Sequence, residues 1–283
     1  RQEQRGEHSE RGHAPLPAVL DEGGDDGVQS RRQLEQELID SADLVFTGGS
    51  SLYEAKKDRH SNVHCFPSSV DRNHFAKARR ELPQPGDQAN LKHPRLGFYG
   101  VIDERFDIDM LREMADMRPD WSFVMVGPVV KIGEDELPRA ANIHYLGGKT
   151  YEQLPAYLSG WDVAIMPFAM NDSTQFISPT KTPEYLSGGK PVVTTPIRDV
   201  VRTYGRLQGV HIAHDADGFV RCCEKALEQA RDPDGDWLAF EQDKHSRLLA
   251  AGITSLILVQ ATLNCFAVMG MAPLTGIPLV HER

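Results

Sequence analysis

The sequence predicts an α/β protein built on a parallel, Rossmann-like sheet. Three observations predict it. Apolar runs of four to six residues alternate with segments of helical periodicity from Leu34 to Ala239. The runs end in glycine or proline, as in "GFYG", "VMVGP" and "IMPF". The share of hydrophobic residues, 40% with 24 glycines in 283 residues, is that of a globular chain with a sizeable core.

The elements follow in order. Residues 1–32 are dense in Arg, Glu, Asp, Gly and His, with too little apolar surface to offset ordering entropy, and are expected to be disordered. Gln33–Ala42 is an amphipathic helix, Asp43–Gly49 a short buried strand, Ser51–Arg59 a helix and Asn62–Asp71 a strand running into a turn. Residues 78–90, "ARRELPQPGDQAN", carry two prolines and a glycine and are expected to form an interdomain linker. The next unit, 91–247, opens on a strand in Asn90–Gly100. Helix "IDMLREMADMRP", strands "WSFVMVGP" and "NIHYLGG", helix "YEQLPAYLSGW", strand "DVAIMPF", helix "PEYLSGG", strands "KPVVTTP" and "GVHIA" and helix "DGFVRCCEKALEQARD" follow. Ligands of such a sheet bind at the carboxyl ends of its strands.

Charge and cysteine usage exclude several classes. With 31 basic and 41 acidic residues the formal charge is −10, which repels phosphate and argues against nucleic acid as a partner. Cys65, Cys222, Cys223 and Cys265 have no metal-ligand spacing, so reduced thiols in a cytoplasmic compartment are expected, and no metal. No secretory signal opens the sequence. His64, His144 and His211 lie in strand-like segments and are expected to pack, as are Trp121, Trp161 and Trp237.

The most informative segment is "SPTKTPEYLSGGKPVVTT", Ser178–Thr195. Thr180 or Thr182 can cap a helix, Pro183 suits its first position, and Gly188 and Gly189 its end. A polar loop feeding a helix start suits phosphate, and Lys181 adds a cation there. Glu184 either accepts from a ribose diol or merely complements the helix dipole.

This segment resembles the nucleotide-sugar loop of the GT-B glycosyltransferases, of the retaining, family-four-like branch. "NVHCFPSSVDRNHF" resembles the stretch joining their two domains, and "RLGFYGVIDERFDIDML" the first strand and turn of their carboxyl-terminal domain. The remaining strands and helices complete that domain in order. The resemblance implies that residues 33–77 are the end of an amino-terminal domain and 91–247 the donor domain. It implies a nucleoside-diphosphate sugar as donor substrate, no cofactor, and a hydroxyl or lipid-linked acceptor in envelope or polysaccharide synthesis. Residue by residue, Gly100 would admit the donor; Arg105 and Lys181 would act on the diphosphate as the catalytic cations. Gly147, Gly148 and Lys149 would lie near the base, Ser178 and Thr180 near phosphate or sugar, and Glu184 at the ribose. Arg105 has the alternative of pairing with Asp103 or Asp107, and no lysine follows it closely in sequence. The family's earlier glutamate, eight positions before Glu184, is here Phe176, with Asp172 the acidic residue further upstream.

Residues 248–283 begin a stretch without charge up to Val280, and Leu248–Ala272 is long enough to cross a bilayer. Lys244 and Arg247 would hold its start on the cytoplasmic side, at the inner face of a bacterial membrane; a buried helix pair is the alternative. "GITSLILVQATLNCFAVMGMAPLTGIPL" resembles a late membrane segment of the SEDS family of glycan polymerases. The primary expectation is therefore a glycosyltransferase donor half. Its rivals are a catalytically silent nucleotide-binding or membrane-tethered fragment, and a nucleotide-sugar epimerase, for which the sequence offers no acid/base pair.

Overall fold

A computed structural model describes residues 25–232, in two units divided after Val45. In the first, α1 spans Asp25–Ser41. Its start precedes the expected one at Gln33: once the amphipathic turns are nucleated, each further residue adds a hydrogen bond at small entropic cost. Side-chain pairs four apart, Gln33 to Glu37 and Gln36 to Asp40 (2.6 Å), line its exposed side.

The second unit opens on a two-stranded sheet of β1 (Val45–Thr47) and β2 (Val63–Cys65), with α2 (Ser50–Lys56) between them. The short α3 (Arg72–Phe75) follows, capped by Asp71, whose carboxylate accepts from the His74 amide (3.0 Å).

The main sheet has six parallel strands: β3 (Arg95–Tyr99), β4 (Ser122–Val126), β5 (Ile143–Tyr145), β6 (Val163–Met166), β7 (Val192–Thr194) and β8 (Val210–Ile212). Their order is β5-β4-β3-β6-β7-β8. The chain runs outward from β3 to β5, then returns to the other side of β3 and runs outward again. The point of reversal lies between β3 and β6, where open α/β sheets receive ligands. Strands β3, β4 and β6 are buried along their whole length, which is why they read as continuous apolar runs rather than alternating ones.

The helices are α4 (Ile108–Met117), α5 (Leu154–Ser159), α6 (Lys181–Ser187), α7 (Arg198–Tyr204) and α8 (Ala216–Ala230). Asp107 caps α4 and Asp215 caps α8, each carboxylate accepting an amide of the first turn. Helix α7 falls between β7 and β8, where the sequence pattern passed directly from strand to strand. At seven residues it has too few turns to print an apolar stripe. The core joins Phe98, Phe123, Trp121, Trp161, Tyr185 and Phe219 across both faces of the sheet.

Residues 78–90, expected to link two domains, lie packed on the sheet unit. Gln88 is fully buried. Its amide oxygen accepts from Trp161 Nε1 (2.9 Å) and its nitrogen donates to the Tyr157 carbonyl (3.0 Å). Arg95 adds bonds to the Ala89 and Leu91 carbonyls. Gln88→Ala is expected to lower stability by about 2 kcal/mol, because the buried indole N–H loses its acceptor. Urea unfolding of the full chain would measure it, and an unchanged midpoint would remove Gln88 from the account.

Of the histidines expected to pack, His211 is half-buried and paired with Gln229 (2.8 Å), and His144 is half-buried. His64 differs: it is exposed and bonded to Asn62 Oδ1 (2.7 Å), because its strand has a single neighbour and one open face. Trp121 and Trp161 are core residues. Cys65, Cys222 and Cys223 are free thiols. Trp237, Cys265 and the apolar span 248–272 lie outside the described residues. Among the described residues no helix is long and apolar enough to cross a membrane.

Candidate functional site

The site is built on the carboxyl ends of β3, β4 and β5. Each strand runs into a glycine with positive φ: Gly100 (+142°), Gly127 (+150°) and Gly147 (+69°). The first two turns interlock. The Gly100 amide donates to Val126 O (2.8 Å), the Ile102 amide to Pro128 O (3.0 Å), and the Gly127 amide to Gly147 O (2.9 Å). A Cβ on Gly127 would overlap the Gly100 carbonyl oxygen, so the two backbones touch where side chains would otherwise stand.

Helix α6 faces these turns across the point of reversal. Tyr185, fully buried, accepts the Tyr99 amide on its hydroxyl (3.0 Å), and Thr182, also buried, turns its hydroxyl to Met166 Sδ (3.7 Å). These contacts dock the first turn of α6 on the ends of β3 and β6. The helix starts differently from the sequence expectation. Lys181 is its first residue, Pro183 its third, and neither Thr180 nor Thr182 caps it with a side chain. Thr182 is drawn into the core instead.

Docking aims Lys181 and Glu184 into the cleft. Lys181 lies over Gly100, where a Cβ would overlap its Cε, with its ammonium 5.6 Å from the Phe98 ring centre. Burial lowers its pKa, and neighbouring Arg105 lowers it further, against Glu184 and Asp103. Glu184 accepts from the Tyr99 hydroxyl on Oε2 (2.8 Å). Burial raises its pKa, while Tyr99, Lys181, Thr180 and His74 all favour its charged form. His74 belongs to a neighbouring aromatic group: its ring stacks on Tyr151 (centres 4.1 Å apart) and its Nε2 meets the Tyr151 carbonyl (2.9 Å).

Arg105 pairs with Asp103, Nε to Oδ1 at 2.9 Å and Nη2 to Oδ2 at 2.5 Å. Burial works to raise Asp103, but the arginine outweighs it and holds the carboxyl below its ordinary value. The Arg105 side chain remains 40% exposed, so the pairing orients it without burying it. Gly147 has open space around its Cα, and Gly148 lies beside Pro128. Lys149 turns its ammonium away to Asp87 (2.8 Å), above the Tyr157 ring, and helps hold residues 84–88 to the domain. Ser178 is half-buried, and its carbonyl accepts from Ser68 Oγ (3.2 Å). Thr180 is exposed at the lead into α6, and Phe176 and Asp172 are exposed in the loop before it.

The fold thus brings Gly100, Arg105, Lys181 and Glu184 to one cleft, with Ser178 and Thr180 leading into it and Gly147 and Gly148 on the adjoining strand end. Tyr99 and Tyr185, which the sequence did not single out, and Asp103, which it named only as an alternative partner of Arg105, order that cleft. Among the described residues no group of three or more His, Cys, Asp or Glu side chains is placed to hold a metal ion.

Residues 93–229 match the family described as "Glycosyl transferases group 1". The matched segment contains every strand of the main sheet and all the cleft residues above. A relative of known name is TuaH of Bacillus subtilis (strain 168), whose name assigns it to teichuronic acid biosynthesis as a glycosyltransferase; it is 28% identical over 213 residues. That match covers 71% of this chain and 52% of TuaH, so the chain spans about half the length of this relative. Among solved structures, HepE of Anabaena in complex with UDP-glucose aligns with a TM-score of 0.58 at 15% identity, over 80% of this chain and 68% of that one. Sucrose-phosphate synthase of Thermosynechococcus elongatus aligns at 0.57 and 17% identity, over 85% and 62%. These likenesses show the α/β fold of the GT-B type. Residues 237–281, mostly the apolar tail, match a second family, described as "Cell cycle protein".

Proposed function

We propose that the group 1 domain of this chain is the donor-binding half of a glycosyltransferase, moving a sugar from a nucleoside diphosphate to a hydroxyl acceptor in envelope or polysaccharide synthesis. One observation carries the reading: Lys181 and Glu184, on a single turn of α6, face the positive-φ turn at Gly100 at the reversal point of the sheet. The family match, the name of TuaH and the UDP-glucose bound to HepE support it.

The chemistry follows from the charges. Breaking the bond between the sugar's anomeric carbon and the diphosphate leaves negative charge on the departing oxygen. Lys181 and Arg105, with the main-chain amides at the start of α6, are the groups placed to stabilise it, and they need no reorganisation to do so. Glu184 takes the ribose hydroxyls. The acceptor hydroxyl, free or lipid-linked, attacks from the open side of the cleft. The working place is the cytoplasmic face of the membrane, with the uncharged stretch of residues 248–280 as the attachment.

Calorimetric titration of UDP, GDP, ADP and TDP into the full chain tests the donor site. One nucleotide is expected to bind selectively, and Glu184→Ala to weaken it by about 1–3 kcal/mol, the range for a hydrogen bond to a charged group. Equal affinity in the variant would take Glu184 out of the site. Nucleotide binding without sugar transfer to any acceptor would reduce the chain to a binding module.

A further inference from the structure

We propose that Tyr99 is a positioning residue of the donor site: its hydroxyl, donating to Glu184 Oε2, sets the orientation in which that carboxylate meets the ribose diol. The inference rests on the donor-site reading above. Its geometry is direct. Tyr99 ends the central strand β3 and is 4% exposed. Three aromatic rings enclose it: Tyr185 with centres 4.7 Å apart, Trp161 at 5.7 Å and Phe75 at 6.2 Å. The ring therefore has no room to swing, and the hydroxyl meets Glu184 at 2.8 Å.

The packing alone does not call for a tyrosine. Phenylalanine would fill the same aromatic enclosure, and a buried hydroxyl is costly unless it finds a partner. Glu184 is half-buried on a seven-residue helix, so its side chain has rotamers to lose. One hydrogen bond satisfies the phenol and removes that freedom before any nucleotide arrives, so that the ordering cost falls on folding rather than on binding.

The carboxylate has charged and titratable neighbours on every side. Tyr99 faces it from β3, Lys181 and Tyr185 from its own helix, His74 from α3 and Tyr151 from the turn before α5. Burial raises Glu184, and Tyr99 is the first of the groups that oppose it. Without the phenol hydroxyl the carboxyl rises, and a protonated carboxyl is a weaker acceptor for a diol.

The test is binding of UDP and of 2′,3′-dideoxy-UDP to the full chain, as wild type, Tyr99→Phe, Glu184→Gln and the double variant. Tyr99→Phe is expected to lose about tenfold in UDP affinity, the size of one hydrogen bond to a charged group, and little for the dideoxy analogue. Its UDP affinity is expected to fall with falling pH from a higher pH than in wild type, because the carboxyl now titrates higher. That added dependence must vanish in the double variant. Tyr99→3-fluorotyrosine keeps the whole ring and makes the hydroxyl a stronger donor, so UDP affinity must change without loss of fold. The inference is overturned if Tyr99→Phe keeps the wild-type ratio of the two ligands and the wild-type pH profile, or loses both ligands equally. A wild-type chain that binds no nucleoside diphosphate, or binds UDP no differently as Glu184→Gln, overturns the donor-site reading itself.

Discussion

Gly127→Ala is expected to destabilise the chain by more than about 3 kcal/mol, a size reserved for core overlap and backbone strain. The methyl group would overlap the Gly100 carbonyl oxygen, which is main chain and cannot rotate aside. The φ of +150° lies where an L side chain is strained in any case. Relief would need β3 and β4 to separate at their ends, breaking the bonds from the Gly100 amide to Val126 O and from the Ile102 amide to Pro128 O. Gly100 also leaves the space that Lys181 fills, so damage would reach the cleft. Gly147→Ala is the control. That glycine has open space around it and a φ of +69°, so its cost is about 1 kcal/mol, that of the left-handed conformation alone. Thermal unfolding of the two variants side by side decides the matter. At about 2–4 °C per kcal/mol for a chain of this size, the gap is several degrees or more. Equal melting points would show that the interlock between the two turns carries no weight.

That interlock shows what the sequence could and could not reveal. Strands β3, β4 and β6 were legible because burial on both sides of a parallel sheet leaves unbroken runs such as "SFVMV" and "VAIM". Their glycines were legible as strand ends. That Gly100 and Gly127 touch one another was not, because the contact depends on strand order, and order is a tertiary property. Helix α7 was lost for a local reason: "RDVVRTY" is too short for a stripe and holds two β-branched valines that suit a strand as well. The stretch 78–90 misled through composition. Its prolines and glycine read as a linker, while Gln88, polar by type, is fully buried because it supplies what Trp161 and Tyr157 lack.

The same limit divides the site. Lys181 and Glu184 could be found because they lie three positions apart and a helix puts both on one side. Arg105 lacked a lysine nearby in sequence; the fold sets it, from 76 positions away, close enough to Lys181 to lower the lysine's basicity. Tyr99 and Glu184 are 85 residues apart. Within β3, Tyr99 reads as one more aromatic in a buried run, and only its polar tip hints that it ends against something that accepts a proton.

Lys181→Met is expected to reduce turnover with a UDP-sugar by about 10²–10³ while weakening UDP binding far less, because the charge it meets develops mainly in the transition state. Stability is expected to hold or rise. Burial works against the ammonium in the free protein and, with repulsion from Arg105, outweighs its attraction to Glu184 and Asp103; a methionine of similar length fills the space over Gly100 without the burial penalty. Loss of activity with gain of stability is the signature of a group kept for chemistry, and a structural lysine would show the reverse. Lys181→Arg is expected not to restore turnover. The space over Gly100 is already filled by a lysine chain, and a planar guanidinium there would bring a second fork against Arg105. The pH profile adds an independent mark: an ammonium depressed by burial and by Arg105 loses its proton at a lower pH than a free lysine, so wild-type turnover falls early on the alkaline side and the Met variant has no such limb. Product formation and thermal unfolding measured on one preparation give both readings. Wild-type turnover in the Met variant would leave Arg105 and the main-chain amides as sufficient for the departing diphosphate, and would return Lys181 to the role of a packed, half-buried cation.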